Sequence, residues 1–340
     1  MSIKLKLIII IGPTVSGKSE LAIKLAKKFN GEIISADSRQ IYRGLDVGTA
    51  KVPGKWTRIR NKERFIYKSI SHYCIDFVSP KKTYTVAEYK KCAQNAIRDI
   101  ARRGKLPIVV GGTGFWIDAL IYDLDFPAVA PNAKLRKKLE KKAPAELLKI
   151  LQKLDLERAK TIEQKNPRRL IRAIEIAKTL GRVPKLKRHS HYDTLWLGIN
   201  PLHAASPHEG KIGARALKMI KKGLAREIKN LRKKGFPKKR IMEFGFEYRA
   251  ALDYIEKKIS KKELYKRLTK DTLAYARRQM TWWKRNQKIH WVTGQPHRSI
   301  QTTQTIVEHF CSFSPRETIA RSLCLSPRTP RSTRRAAPAA

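Results

Sequence analysis

Cysteine is scarce in this chain: Cys74, Cys92, Cys311 and Cys324 are the only four, with no Cys-x-x-Cys spacing and no histidine pair downstream. That pattern excludes a zinc finger and a disulfide framework, and it points to reduced thiols in the cytoplasm. Long hydrophobic runs are missing as well. The longest is the short stretch 7–11, far below the roughly 20 residues of a membrane span, and it runs on without a cleavage site. Neither a membrane partner nor an export signal is expected. There is no internal repeat.

Acidic residues are the third shortage. Against 75 Lys and Arg stand 28 Asp and Glu, a formal net charge of +47 over 340 residues. Clustered cations release counterions from a nucleic-acid backbone, so a polyanionic partner is one reading of this balance. A generally Lys-rich composition with solvated basic helix faces is the other. The length is enough for one large domain with an insertion, or for two modest ones.

What the chain does have is Gly12, Pro13, Thr14, Val15, Ser16, Gly17, Lys18 and Ser19, the G-x-x-x-x-G-K-[ST] pattern, directly after the apolar strand at 5–11. The glycines let backbone N–H groups converge on phosphate oxygens. Lys18 reaches the terminal phosphate, and Ser19 can hold a magnesium ion where the next helix starts. The pattern names a polyphosphate or diphosphate ligand without deciding whether it is ATP.

Strand and helix signals then alternate. Strands are expected at 5–11, 32–36, 73–75 and 106–110, with helices over 20–29 and 86–103. This rhythm predicts an α/β fold, a P-loop NTPase-like parallel sheet flanked by helices, with ligands at the carboxyl ends of the strands. Residues 123–194 change to helices with basic faces (133–142, 145–154, 167–180), read as a helical insertion. The core, 1–122, resumes over 195–310 with a strand at 195–199, helices at 211–234, 246–257 and 261–285, and a last strand at 288–292. The stretch 311–340, rich in Ser, Pro, Arg and Ala, is expected to be a disordered basic tail. Its six Arg against one Glu supply only +5 of the charge.

Three further groups carry chemistry. Asp37 ends the second strand within reach of the phosphate loop. It can hold magnesium, take a proton from an incoming nucleophile, or merely cap a turn through Asp-x-Ser hydrogen bonds. Gly111-Gly112-Thr113-Gly114 gives a second cluster of backbone donors and a hydroxyl facing the same crevice. Arg168 and Arg172, at i and i+4 of a helix opened by Pro167, place two guanidinium groups on one face for phosphate contact or for solvent.

Seven segments resemble, in order and spacing, the tRNA dimethylallyltransferases. They are Gly-Pro-Thr-Val-Ser-Gly-Lys-Ser at 12–19, Asp-Ser-Arg-Gln-Ile-Tyr at 37–42, Gly-Thr-Ala-Lys at 48–51, His-Tyr-Cys-Ile-Asp at 72–76, Gly-Gly-Thr-Gly-Phe-Trp at 111–116, Asn-Pro-Arg-Arg-Leu-Ile-Arg-Ala-Ile-Glu at 166–175 and Tyr-Ala-Arg-Arg-Gln-Met-Thr-Trp-Trp-Lys-Arg at 275–285.

The resemblance implies transfer of a dimethylallyl group from dimethylallyl diphosphate to the exocyclic N6 amine of the adenine just 3′ of the anticodon in tRNA. Diphosphate and Mg2+ would then occupy the loop at 12–19. It further implies that Asp37 is the general base and touches the target adenine, and that Thr113 and Arg215 support the departing diphosphate. Ser38, Arg39, Gln40, Arg136, Arg168, Arg169, Leu170, Ile171 and Arg172 would contact tRNA, and the protein would act as a cytoplasmic monomer. Phe244-Gly245-Phe246-Glu247-Tyr248-Arg249 departs from the family's usual Gly-Tyr-Lys-Glu, Lys211 replaces an expected Arg, and the tail matches nothing in the family. Three other readings compete: an adenylate isopentenyltransferase acting on free AMP, ADP or ATP, a small-molecule P-loop kinase, and a non-catalytic RNA-binding P-loop protein.

Overall fold

The computed structural model describes residues 4–59, 61–200, 207–292 and 296–312. The chain divides into two compact units, Tyr122–His189 and the sequence on either side of it. The helical insertion expected over 123–194 gives way to the sheet slightly earlier, because the strand there already starts at Tyr192.

In the larger unit the β-branched run β1 (Leu5–Ile11) lies in the sheet interior, with residues 7–11 fully buried. Such a run suits a strand covered on both faces. Around it stand β2 (Gly31–Ala36), β3 (Lys55–Ile59), β4 (Lys62–Tyr67), β5 (Ile70–Tyr73), β6 (Leu106–Gly111), β7 (Tyr192–Ile199) and β8 (Ile289–Val292), in the order β3-β4-β5-β2-β6-β1-β7-β8. From β5 to β8 every pairing is parallel. At the other edge β3 and β4 pair antiparallel, and β4 is antiparallel to β5.

The expected parallel sheet is thus present from β5 to β8, and an antiparallel hairpin added at one edge makes the whole sheet mixed. The hairpin escapes the sequence pattern because Lys-Trp-Thr-Arg-Ile and Lys-Glu-Arg-Phe-Ile-Tyr interleave charge with apolar residues and bury almost nothing outside Phe65. The strand expected at 73–75 instead ends at Tyr73, since Cys74 and Asp76 take left-handed φ values of 54° each.

Helices α1 (Lys18–Lys28), α2 (Val86–Arg102) and α3 (Gly114–Ile121) cover the sheet between these strands. Thr85 and Glu88 form a reciprocal capping box that starts α2. In the smaller unit α4 (Ala133–Leu139), α5 (Pro144–Leu154), α6 (Leu156–Thr161) and α7 (Pro167–Leu180) bury Leu147, Leu151, Leu170 and Ile174 in a core of their own.

Back in the larger unit, the single helix expected over 211–234 is two, α8 (Pro207–Lys221) and α9 (Leu224–Lys233), because Gly223 sits between them at φ 90°. Then follow α10 (Lys238–Glu243), α11 (Phe246–Ile255), the long α12 (Lys261–Trp283) and α13 (Pro296–Ser312). The last corrects the start of the expected tail: Cys311 lies in the final turn of a helix that runs to Ser312 and packs, half-buried, against the core beside α1. The rest of that tail lies outside the described residues.

Glu32 on β2 fixes one side of the sheet. Its carboxylate, 2% exposed, accepts from Arg103 Nη1 at 2.7 Å, Lys105 Nζ at 2.9 Å and Tyr73 Oη at 2.8 Å. Burial alone would raise its pKa; the Arg103, Lys105 and Tyr73 hydrogen bonds outweigh it and hold the group down at about 2, against an ordinary 4.5. A depressed carboxylate stabilises the fold fully above the ordinary value and ceases to do so as the pH falls through the shifted one. Glu32→Gln should lower stability at pH 7 by about 2 kcal/mol, a figure reduced for the partial exposure of Arg103 and Lys105. The gap between variant and parent should shrink steadily below about pH 4.5. Urea midpoints at pH 7 and pH 3 measure it; an equal gap at both would contradict the network.

Candidate active site

The phosphate loop is formed where β1 hands over to α1. Gly12 has φ 144°, and a Cβ there would lie 2.6 Å from the Ile199 carbonyl oxygen, so no other residue fits. Val15 is left-handed at φ 63° and Gly17 at φ 92°. Gly12 and Pro13 form the back of the turn. Thr14, Val15, Ser16, Gly17, Lys18 and Ser19 line a cavity of about 750 Å3. Lys18 Nζ donates to the Pro13 carbonyl at 2.5 Å, and Ser16 Oγ is buried with no hydrogen-bond partner in the protein. An orphaned buried hydroxyl at the head of a helix is a vacant donor suited to an anion.

The same cavity collects Asp37, Ser38, Arg39, Gln40, Thr113 and Arg215. Asp37 leaves β2 with Oδ1 accepting the backbone N–H groups of Arg39, at 2.9 Å, and Gln40, at 3.4 Å. Its turn-capping role is thus real, and it fixes the carboxylate on the cavity wall. Thr113 Oγ1 accepts the Ser38 N–H at 3.1 Å, and Thr113 N donates to the Ala36 carbonyl at 3.2 Å, so the two strand ends are tied together. Arg39 Nη1 donates to the Glu243 carbonyl at 2.6 Å and Gln40 Nε2 to that of Thr49 at 3.2 Å. These two side chains brace the rim.

Cations dominate the interior. Lys18 is pushed down to about 7, by desolvation first and by the positive charge of Arg215 second, while Asp37 opposes the shift. Arg215, from α8, is itself lowered by burial. A cavity that crowds two cations against desolvation is prepared for a multivalent anion that neutralises both.

Sequence reasoning singled out no role for Gln279, Glu247 or Tyr275. Gln279, on α12, is 6% exposed; its Oε1 accepts the Thr14 N–H at 2.8 Å and its Nε2 donates to the Gly112 carbonyl at 3.0 Å. One amide therefore joins the phosphate loop to the 111–114 turn. The signal was a polar residue among Ala276, Met280 and Trp283 on the buried stripe of a helix. Glu247 also lines the cavity, and burial raises it to about 7, with Arg215 and its own backbone N–H opposing. Burial likewise drives the Tyr275 hydroxyl upward. At the rim, Glu227 on α9 accepts the N–H groups of Asp46 and Val47, each at 2.7 Å, and of Gly48, at 3.1 Å, and it takes the Tyr248 hydroxyl at 2.8 Å.

The remaining expected residues belong to the smaller unit. Arg136 pairs twice with the buried Glu175, Nε to Oε1 and Nη2 to Oε2 at 2.7 Å each. Arg172 reaches Glu175 Oε2 at 3.3 Å and the Val129 carbonyl at 2.9 Å. Arg169 meets Glu163 at 2.9 Å with both side chains more than half exposed, and Arg168 opens the same helix. Leu170 and Ile171 turn into the unit's own core, so their side chains face away from any ligand at the surface.

Residues 40–286 match the IPP transferase family, and residues 5–68 match the isopentenyl transferase family. The chain belongs to the IPP transferase family. Among its relatives, the tRNA dimethylallyltransferase of Caldanaerobacter subterraneus subsp. tengcongensis is 37% identical over 298 residues, 84% of this chain and 91% of the other. That of Alkaliphilus oremlandii is 39% identical over 297 residues, 85% and 91%. A eukaryotic dimethylallyltransferase solved acting on tRNA superposes with a TM-score of 0.74 at 26% identity, covering 92% of this chain and 80% of that one. The tRNA isopentenylpyrophosphate transferase of Staphylococcus epidermidis does so at 0.62 and 32% identity, covering 90% and 100%. The IPP transferase fold here is accordingly an α/β P-loop architecture. Among the described residues no helix is long and apolar enough to cross a membrane.

Two outcomes follow from this geometry. Gln279→Ala removes one acceptor and one donor from the IPP transferase cavity, each worth about 1 kcal/mol, and should weaken inorganic pyrophosphate binding by up to about thirtyfold; unchanged calorimetric affinity would show that the loops hold without it. Glu247, ionising near 7, adds negative charge beside Arg215 as the pH rises, so Glu247→Gln should bind pyrophosphate more tightly than the parent at pH 8 and about equally at pH 6. The difference between the two proteins cancels the ligand's own titration, and a constant ratio across that range would refute the assignment.

Proposed function

We propose that the chain is a tRNA dimethylallyltransferase. It moves the dimethylallyl group of dimethylallyl diphosphate to the N6 amine of the adenine immediately 3′ of the anticodon and releases diphosphate. The observation that carries this reading is that Asp37 and Thr113 share one cavity with Lys18 and Arg215. A proton acceptor thus faces the place where a diphosphate would be held.

Adenine's amine is a poor nucleophile because its lone pair is delocalised into the ring, so a fixed carboxylate that accepts its proton aids the attack. Asp37, anchored through Oδ1, has Oδ2 for that proton. As the allylic C–O bond breaks, charge grows on the departing diphosphate. Lys18, Arg215, the loop N–H groups and the Thr113 hydroxyl stabilise it there. The Ser16 hydroxyl supplies a further donor.

Ser19 stands in the first turn of α1 on the cavity wall, and no cluster of three or more His, Cys, Asp or Glu suited to a metal occurs among the described residues. This donor set fits Mg2+, which keeps its waters and binds through few protein ligands plus phosphate oxygens. Held by Ser19 and the diphosphate, it would supply charge neutralisation on the leaving group.

For the acceptor, a base in an anticodon loop unstacks more readily than one in a duplex. Ser38, Arg39 and Gln40 at the rim are assigned to it, with Arg168 and Arg169 on α7. Arg136 and Arg172, 37% and 36% exposed, are held ready by Glu175. A cytoplasmic monomer meeting free tRNA is the setting this reading implies.

The test is an assay with dimethylallyl diphosphate, Mg2+ and an anticodon stem-loop bearing that adenine, read by the mass gain of one dimethylallyl group, with free AMP as competitor. Asp37→Ala should lower the transfer rate about 10²- to 10⁴-fold and leave stem-loop affinity nearly intact. Transfer to AMP in preference to the stem-loop, or ATP consumed without prenyl transfer, would replace this function with another.

A further inference from the structure

The ribbon β3–β4 takes no part in the chemistry above, and burial does not explain it. All five residues of β3 are exposed, and in β4 only Phe65 is buried. Beyond Phe65 β4 no longer pairs with β5, and the two-stranded length that remains is marginal without a covered face. Here the cover is confined to the base, where the Phe65 ring fills the space over Gly54 and meets Trp56 and His72 edge-on at 6.0 and 6.3 Å. The outer length is held in solvent from a fixed root.

That root is the rim of the active cavity. Gly48, Thr49, Ala50 and Val52 line the cavity, and β3 begins at Lys55. Trp56 Nε1 donates to Asp76 Oδ2 at 3.0 Å, and the Asp76 N–H donates to the Gln40 carbonyl at 2.9 Å. Lys51 Nζ bridges Asp76 Oδ1, at 2.5 Å, and the Tyr42 carbonyl, at 2.7 Å. The ribbon is thereby locked to residues 37–42, the segment assigned above to the acceptor.

Its exposed chemistry is that of a nucleic-acid contact. The Trp56 ring is 39% exposed, and the Arg43 guanidinium lies 5.8 Å from its centre. Lys55 and Arg58 are exposed on opposite faces of β3. Lys62, 71% exposed, makes a long 3.7 Å ion pair with Asp99. Glu63 opposes Arg58, whereas Lys55 and Lys62 pair across the ribbon with Ile66 and Ile59 and so have no acid opposite them. Arg64 turns inward to Glu32.

We propose that β3–β4 is an RNA-docking arm at the mouth of the cavity around whose free edge the acceptor RNA wraps, with a loop base on Trp56 and a backbone phosphate on Arg58 on one face, and phosphates on Lys55 and Lys62 on the other. The assignment rests on the tRNA reading above. Cations that track a backbone beside an aromatic platform are the recurring solution for unpaired RNA.

The triple variant Lys55→Glu, Arg58→Glu, Lys62→Glu changes solvent-facing positions, and its melting temperature reports folding. It should bind the anticodon stem-loop at least about tenfold more weakly, and the slope of log affinity against log salt should fall by about 2 to 3. Trp56→Ala should weaken binding about five- to a hundredfold, while Trp56→Phe, which keeps a ring face but loses the bond to Asp76, should recover most of it. Parental affinity and salt slope in the triple variant would overturn the arm and leave the transferase reading standing. Loss of RNA affinity in that variant, alongside a parent that transfers no prenyl group, would support the arm and remove the proposed function.

Discussion

The parallel alignment of β2, β6 and β1 is the constraint from which the active cavity follows. Paired in register, these strands end together, and their carboxyl ends deliver Gly12, Asp37 and Gly112 to one edge of the sheet. The bond from Thr113 N to the Ala36 carbonyl extends that register one step beyond the strands. Because β1 is buried on both faces, the loop that leaves it inherits the rigidity of the sheet. The glycines at 12 and 17 then turn the chain where side chains would collide or strain.

On that scaffold the electrostatics are arranged by elements far away in sequence. Arg215 comes from α8, Glu247 from α11 and Gln279 from α12, so the wall facing the phosphate loop is built from the last part of the larger unit. Burial lowers Lys18 and raises Glu247 toward the same neutral range, so two groups on opposite walls of the cavity change charge near pH 7. Glu227 adds a different kind of control: one carboxylate gathers three successive N–H groups of the rim and sets where Gly48 and Thr49 stand.

Much of this was legible in the sequence. Strands of unbroken β-branched residues, a glycine loop after the first, and an acid after the second announce their places through spacing alone. The hairpin β3–β4 was not legible, because its residues answer to solvent and carry no hydrophobic period. The break at Gly223 was hidden inside an otherwise continuous helical pattern. Of the site residues, those that follow a strand were found, since a strand end is a visible address. Gln279 and Glu247 reach the cavity only through tertiary packing, and local periodicity assigns such residues to a helix without saying what they face. Arg136 and Arg172 show the converse, with charge that reads as plain surface yet is fixed in place by the buried carboxylate of Glu175.

The amide of Gln279 leaves very little freedom at its position. It must offer a lone pair to Thr14 and a proton to Gly112 from a single planar group at the end of two methylenes. Glutamate would set a second acceptor against the Gly112 carbonyl and bring negative charge toward the phosphate loop. Lysine would leave the Thr14 N–H without an acceptor, and asparagine falls one methylene short of both. The chemical neighbours of glutamine therefore each fail in a different way, and drift at this position has no gradual path.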